Sequence, residues 1–400
     1  MAVPKIYNVH THIFNFKCVP SGFLTNYLPR VLVTLLAPLL RVGPIASAIS
    51  FLLKKLPGNV RKYQAFVAVG IRNTPQKVFE DMMEGYNDEN VGFVVLPMNF
   101  DYMGGGQAPA NYKSQLELVA DVKRKYPNTC FPFLAVDPRM GNANDILKFV
   151  KDYFEPNFKG FHGIKLYPAL GFYPTDDRLE EMYKYAQGKN IPILTHCTRF
   201  GAYYAEKKVP EELLEYRSFN HTSVTNQRRQ QTFYQNLLNL KSEDACDAFL
   251  DPVNYYDILD RFPDLKLCFA HYGGDEEMRK YLRNPNNQGV LHTGYNNDTS
   301  WYYIIKDLQE KFKNVYADIS FTLWDTKPPG DIVSSIKTDL QSNIGDRVLF
   351  GTDFFMTLQV KAEKALYTDF RLALDNKNLW EQMAYHNNKK FMSSNFYPMP

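Results

Sequence analysis

No Cys-x-x-Cys pair occurs in the chain, and its five cysteines, Cys18, Cys130, Cys197, Cys246 and Cys268, are odd in number and far apart. That spacing excludes a thiolate zinc site and a disulfide framework, and it is expected of a protein from a reducing, cytoplasmic compartment. Charge of one sign is also lacking: a formal net charge of +3 over 400 residues offers no electrostatic footprint for nucleic acid. The start of the chain has no basic segment followed by an apolar one, so export is not expected. No glycine-rich phosphate loop follows an early strand, which argues against a dinucleotide-binding sheet. An uninterrupted apolar run long enough to span a bilayer is missing too. The nearest approach, Val31 to Leu53, carries Arg41 and is broken by Pro38 and Pro44. It reads as a buried or amphipathic helical insertion, with a membrane- or subunit-docking surface as the alternative.

What is present is a series of short apolar runs bounded by turn residues: Ile6 to His12, Val91 to Phe100, Thr129 to Asp137, Phe161 to Tyr167, Ile191 to His196, Leu265 to His271, Val315 to Ile319 and Val348 to Asp353. Amphipathic segments separate them, among them Pro75 to Tyr86, Ser114 to Tyr126, Ile146 to Phe154, Arg178 to Gln187, Val253 to Phe262 and Tyr302 to Phe312. Eight apolar strands alternating with helices predict a parallel sheet covered on its outer face and closed on itself, an α/β (β/α)8 TIM barrel in a single domain over residues 1–400. Three connections exceed ordinary βα loops: Ile13 to about Met83, Thr198 to Asp251 and Gly274 to Ser300. Within them, 13–65 and 198–251 are the expected lid over the catalytic face.

The residues that carry chemistry stand at the ends of those runs. Strand alternation points His10 and His12 to one side, so both imidazoles can reach one ion. His196, His271 and Asp353 close the fifth, sixth and eighth runs. The C-terminal ends of barrel strands are where such barrels keep their active sites, and three imidazole positions, a further histidine and a carboxylate suit a hydrolytic zinc site. Lys165 lies near the end of the fourth run, where it serves as a pocket ammonium or as a carbamylated bridge between two ions. Arg139, Arg199 and Trp324 follow strands three, five and seven, and Asp318 ends strand seven; each is placed to line the pocket, with either arginine able to clamp a substrate carboxylate. His162 begins a strand and His221, His292 and His386 lie away from strand ends, so none is expected to bind the catalytic ion.

The stretches VHTHIF at residues 9–14, GIKLYPALGFYPTDDRL at 163–179, IPILTHC at 191–197, LKLCFAHYGG at 265–274, NVYADIS at 314–320 and LFGTDF at 349–354 resemble, in this order, the amidohydrolase superfamily. The branch they resemble is that of aminocarboxymuconate-semialdehyde decarboxylase and related metal-dependent hydrolases. The resemblance implies that His10, His12, His196 and Asp353 hold a catalytic metal and that His271 assists the reacting water or substrate. It also implies one zinc ion rather than two, with manganese, iron or cobalt able to use the same donors. The chain departs from the usual wording at Cys197-Thr198, after the strand-five histidine, and at Phe354-Phe355, after the strand-eight aspartate, so the substrate does not carry over.

Three functions are consistent with these residues. The first is hydrolysis of an amide, lactone or ester carbonyl of a small molecule by metal-activated water, with Asp353 carrying the proton. The second is non-oxidative decarboxylation of an unsaturated or aromatic carboxylic acid on the same scaffold. The third is a membrane-associated or oligomeric binding protein with a structural metal, suggested by Val31 to Leu53 and by 27 Tyr and 29 Phe. A homo-oligomer acting on a small-molecule substrate is the expected form.

Overall fold

The computed structural model describes residues 5–25, 63–86, 90–155, 160–215, 237–285, 299–324 and 330–399. The insertion 31–53, with its membrane-docking alternative, lies outside them, as do His221 and His292. Among the described residues no helix is long and apolar enough to cross a membrane.

All eight expected strands form: β1 (Ile6–Thr11), β2 (Val91–Val95), β3 (Cys130–Ala135), β4 (Gly163–Leu166), β5 (Ile193–Thr195), β6 (Leu267–Phe269), β7 (Val315–Asp318) and β8 (Val348–Leu349). They lie in one sheet in sequence order, and each adjacent pair is parallel. The sheet closes between β8 and β1 through the backbone bonds Val9 N–H to Phe350 O (3.0 Å), Asp353 N–H to His10 O (2.9 Å) and His12 N–H to Phe354 O (2.6 Å). Helices α1 (Pro75–Glu84), α2 (Tyr112–Lys125), α3 (Ala143–Phe154), α4 (Glu180–Lys189), α5 (Tyr255–Arg261), α6 (Trp301–Lys311), α7 (Asp331–Leu340) and α8 (Glu363–Leu374) follow the strands in turn. Their ends are set locally. Thr74, Asn111 and Asn142 each accept a backbone N–H of the first turn of α1, α2 and α3, and Asn190 ends α4 in the left-handed region at φ 53°.

Two apolar layers follow from strand alternation. Ile164, Leu166, Ile193 and Leu267 face the helices, while Val94, Phe133, Leu194, Cys268, Tyr316 and Leu349 fill the barrel, stoppered by Phe391 and Met392 of the C-terminal segment. The strands are shorter than their apolar runs. Chain beyond the last paired residue turns away at the barrel mouth, and those turns carry most of the candidate site residues.

One irregularity decides where His10 points. β1 pairs with β2 as Asn8 with Phe93 and then Thr11 with Val95, so three steps of β1 oppose two of β2. Tyr7 and Val9 face the barrel interior and Asn8 faces the helices. Uninterrupted alternation from Tyr7 would send His10 outward with Asn8. The extra residue of the bulge reverses the parity, so Val9 and His10 both face inward, and His12 follows His10.

Candidate metal centre

Each histidine is oriented by its outer nitrogen. His10 Nδ1–H donates to Asp318 Oδ2 at 3.0 Å, and His12 Nδ1–H donates to the carbonyl of Leu96 at 2.8 Å. Both Nε2 lone pairs are thereby turned toward Asp353, whose Oδ1 lies 3.6 Å from His10 Nε2 and 3.3 Å from His12 Nε2. Donors held ~2.1 Å from a tetrahedral ion sit ~3.4 Å apart, so the spacing fits ligands of one ion. The unsatisfied valences agree: His10 Nε2 and Asp353 Oδ1 are buried without a hydrogen-bond partner. The three residues form one group of potential metal ligands, and His10, His271 and Asp318 form a second.

His196 stands beside this group, not within it. Its Nε2–H donates to the carbonyl of Phe200 at 2.8 Å, leaving Nδ1 to face His271 Nε2 at 3.1 Å. His271 Nδ1 lies 3.2 Å from the carbonyl of Ser320. With both outer nitrogens donating to carbonyls, the inner two present lone pairs to one another; a proton or a cation between them removes that repulsion. The donor set therefore fits a divalent ion at His10, His12 and Asp353, with His196 and His271 adjoining.

Asp318, expected only to line the pocket, is the anchor of the cluster. Besides His10, its carboxylate accepts the backbone N–H of His271 (3.1 Å), the backbone N–H of Ser320 (2.9 Å) and the Ser320 hydroxyl. His271 and Asp353 both adopt left-handed backbone, at φ 64° and 62°, and the turns that aim their side chains depend on it. Burial holds the pKa of His10, His196 and His271 well below the ordinary imidazole value, reinforced respectively by Lys165, His271 and His10. The same burial raises the Asp353 carboxyl, against the opposing pull of His12.

Lys165 points into the barrel from β4. Its Nζ has no hydrogen-bond partner and lies 5.6 Å from the Tyr167 ring centre. Burial pushes its pKa down to about 8, while Asp318 and Asp353 pull the other way. The two arginines are already engaged. Arg139 makes a two-pronged contact with Asp137 (2.8 and 2.6 Å) and a bond to the carbonyl of Leu170 (3.0 Å), and it is not part of the cavity wall. Arg199 reaches the wall, but its guanidinium pairs with Asp247 and Glu277 and lies 4.2 Å over the Trp301 ring. Neither is a free clamp for a substrate carboxylate as placed. Trp324 ends a short turn after β7, and its side chain lies outside the described residues. His162 is buried 3.2 Å from Lys123 Nζ and His386 is exposed, both apart from the centre.

The donors open into a cavity of about 260 Å³ walled by Phe14, Phe23, Phe100, Tyr167, Phe200 and Phe321, with Met98 and Met356 among the remaining apolar contacts. Tyr167 and Gly201 of the wall, and Ser320 beside the histidines, were not singled out as site residues by the sequence. Tyr167 stacks on His196 (4.1 Å between centres, 17° between planes) and its hydroxyl accepts the Ala202 N–H at 2.9 Å. Ser320 sits 3.0 Å from both His10 Nδ1 and His271 Nδ1. Gly201, at φ 113°, passes so close that an added Cβ would stand 2.5 Å from the Tyr167 hydroxyl. Only the small size of glycine and the left-handed φ, read with the contacts, reveal that role.

The amidohydrolase family model matches residues 9–391. No curated protein sequence matches the chain. Among solved structures, the fold is similar to that of a "probable 2-pyrone-4,6-dicarboxylic acid hydrolase" from Acinetobacter baumannii (10% identity, TM-score 0.52, 97% of this chain and 99% of that one). It is similar to 5-carboxyvanillate decarboxylase from Sphingomonas paucimobilis (9% identity, TM-score 0.52, 98% and 99%). It is also similar to dihydroxybenzoic acid decarboxylase from a Polaromonas species, crystallised with manganese and the inhibitor 2-nitroresorcinol (12% identity, TM-score 0.51, 98% and 97%). With the match running from the strand-one histidines to the C-terminal helices, the chain belongs to the amidohydrolase family.

Proposed function

We propose that this protein is a metal-dependent, non-oxidative decarboxylase of an aromatic or unsaturated carboxylic acid. The observation that carries the reading is the cavity itself: a cluster of imidazoles and one carboxylate at its inner end, and aromatic rings along its walls. The decarboxylase activities of proteins with this fold support it. His10, His12 and Asp353 would hold one divalent ion, with His196 completing the set, and zinc, manganese, iron and cobalt all suit such nitrogen and oxygen donors. When bound, the ion supplies Lewis acidity toward the oxygens of the substrate.

The chain's own residues account for the remaining steps. The rings of Phe14, Phe100 and Phe321 hold a planar substrate and exclude water. Asp353, the carboxylate of the cluster, holds the proton. The carbon that loses carbon dioxide keeps the electron pair of the broken bond and takes that proton, and Asp353 is reprotonated from solvent before the next turnover. His271 orients substrate oxygens beside His196. An apolar wall favours the change from a charged carboxylate to neutral carbon dioxide, because the charge is poorly solvated there.

Hydrolysis, the first expectation from the sequence, is the second reading, since the same donors serve it and a protein with this fold is described as a hydrolase. The deciding assay incubates metal-loaded protein with hydroxylated benzoates and unsaturated acids on one side, and with lactones, amides and esters on the other. Release of carbon dioxide that depends on the ion and is lost in Asp353→Asn is the expected result. Acid release from the second panel without carbon dioxide from the first would establish hydrolysis instead. Tight metal retention with neither activity would favour the binding-protein reading.

A further inference from the structure

We infer that Asn8, Tyr86, Thr352 and Glu363 form a buried positioning network that fixes the spacing of His10 and Asp353 and so sets how tightly the centre holds its ion. The inference rests on the metal-dependent reading above and concerns residues outside the cavity wall.

The need for such a network lies in the seam. β8 is two residues long, and only an isolated bridge between Thr11 and Phe354 and a few backbone bonds join the two segments that carry His10 and Asp353. Side chains supply the missing ladder. The Asn8 Oδ1 accepts the backbone N–H of His10 and that of Thr352, both at 3.2 Å, so one amide oxygen grips the backbone of the ligand His10 and of the residue immediately before Asp353. The Asn8 Nδ2 donates to the Thr352 hydroxyl at 2.7 Å and to the Tyr86 hydroxyl at 2.9 Å. Both hydroxyls donate onward to Glu363 Oε1, at 2.7 and 2.5 Å. Strand β1, the turn after β8, the residue beyond α1 and the first turn of α8 are thus tied at one carboxylate oxygen.

Every member is buried, and Glu363 Oε2 has no hydrogen-bond partner. A carboxyl in such a place is a poor way to gain stability, because well-packed apolar side chains of the same volume do as well or better. What polar groups supply that apolar ones do not is direction: fixed donor and acceptor angles that hold two backbones in one register. Burial pushes the Glu363 carboxyl up to about 7, as expected of an acid enclosed without a cation. None of the four reaches the cavity, so they act through His10 and Asp353 and not on substrate.

The test uses the full-length protein, stripped with a chelator and reloaded with Zn2+ or Mn2+. Ion affinity is measured by competition with a chromophoric chelator, and thermal unfolding is followed with and without the ion. Thr352→Val and Tyr86→Phe, which remove one hydroxyl each at nearly constant volume, should weaken ion binding ~10- to 100-fold. Thr352→Ser, which keeps the hydroxyl, should stay within ~3-fold of wild type, and the rise in melting temperature on loading should shrink in step with the loss of affinity. Glu363→Gln should resemble Thr352→Val; should it fail to fold, the two hydroxyl variants still decide the matter. Variants that melt lower with and without the ion by the same amount, and bind it as wild type does, would reduce the network to a structural role and overturn the inference alone. A wild-type chain that takes up no ion would overturn the metal-dependent reading as well.

Discussion

Placing one methyl group at Gly201 tests how the strand-five histidine is held. At φ 113° an alanine is strained before any contact is considered, by roughly 1–2 kcal/mol. Its Cβ would stand 2.5 Å from the Tyr167 hydroxyl and 3.2 Å from two atoms of the His196 ring. A carbon and an oxygen in contact rest ~3.3 Å apart, so the tyrosine must retreat by ~0.8 Å. Retreat breaks the bond from the Ala202 N–H, about 1 kcal/mol, and slides the ring off His196, against which it stacks at 4.1 Å. Gly201→Ala should therefore cost ~2–3 kcal/mol in urea unfolding, and misplacement of the imidazole should lower kcat/KM ~100-fold. The double variant Gly201→Ala with Tyr167→Phe removes the atom that collides. It retains the backbone strain but should recover at least ~10-fold of the lost kcat/KM relative to Gly201→Ala, a coupling that a double-mutant cycle reads directly. A single variant within ~3-fold of wild type, or a double variant no better than the single, would refute the argument.

The metal-free protein should lose stability as pH falls from 6.5 to 5.5. His10, His162, His196 and His271 have folded pKa values well below the unfolded value of about 6.5, so their contribution is present above that pH and is lost as the unfolded state takes up protons. Asp247, Asp353 and Glu363, raised by burial, work in the opposite direction, but four groups against three leave a net loss of stability on acidification. Urea midpoints in the presence of chelator that stay flat or rise across this interval would show that the histidines are not neutral in the fold. Asp318→Asn replaces a carboxylate acceptor of the His10 Nδ1–H by a neutral amide and should weaken ion binding ~10- to 100-fold with the fold retained. Equilibrium dialysis giving wild-type affinity would remove Asp318 from its anchoring role.

The barrel was legible because each strand of a parallel sheet is buried on both faces and leaves an uninterrupted apolar run, as in VGFVV of β2. The site was legible to the extent that its residues close such runs. His10, His12 and Asp353 converge as spacing and resemblance implied, but the convergence needs two things that composition does not encode: the bulge in β1 and the left-handed backbone at Asp353. Arg199 reaches the cavity wall and Arg139 does not, and the charge of each is taken up by neighbours. For Arg139 that neighbour is only two residues away, at Asp137, and a short side-chain return of this kind can be suspected from sequence. For Arg199 the partners come from segments 48 and 78 residues distant, which no local pattern announces. Tyr167, Ser320 and Gly201 act through contacts made only when the strands are assembled. Hydrolysis and decarboxylation use the same ligand types, so the ligands alone do not separate them.

The extra residue in β1 makes the centre depend on the parity of a count. Three consecutive assignments, Val9 to the barrel filling, His10 to the ion and Asn8 to the outer tether, are compatible only while that residue is present. A β1 that kept Val9 but paired without the bulge would have the same composition, yet alternation from Tyr7 would send His10 and His12 outward, whereas removing Val9 would restore ordinary alternation with both histidines still inward. The centre therefore tolerates a shorter β1 better than a straightened one: loss of Val9 costs one filling side chain and the bond from its N–H to Phe350 O, whereas ironing out the bulge turns both histidines away from the ion.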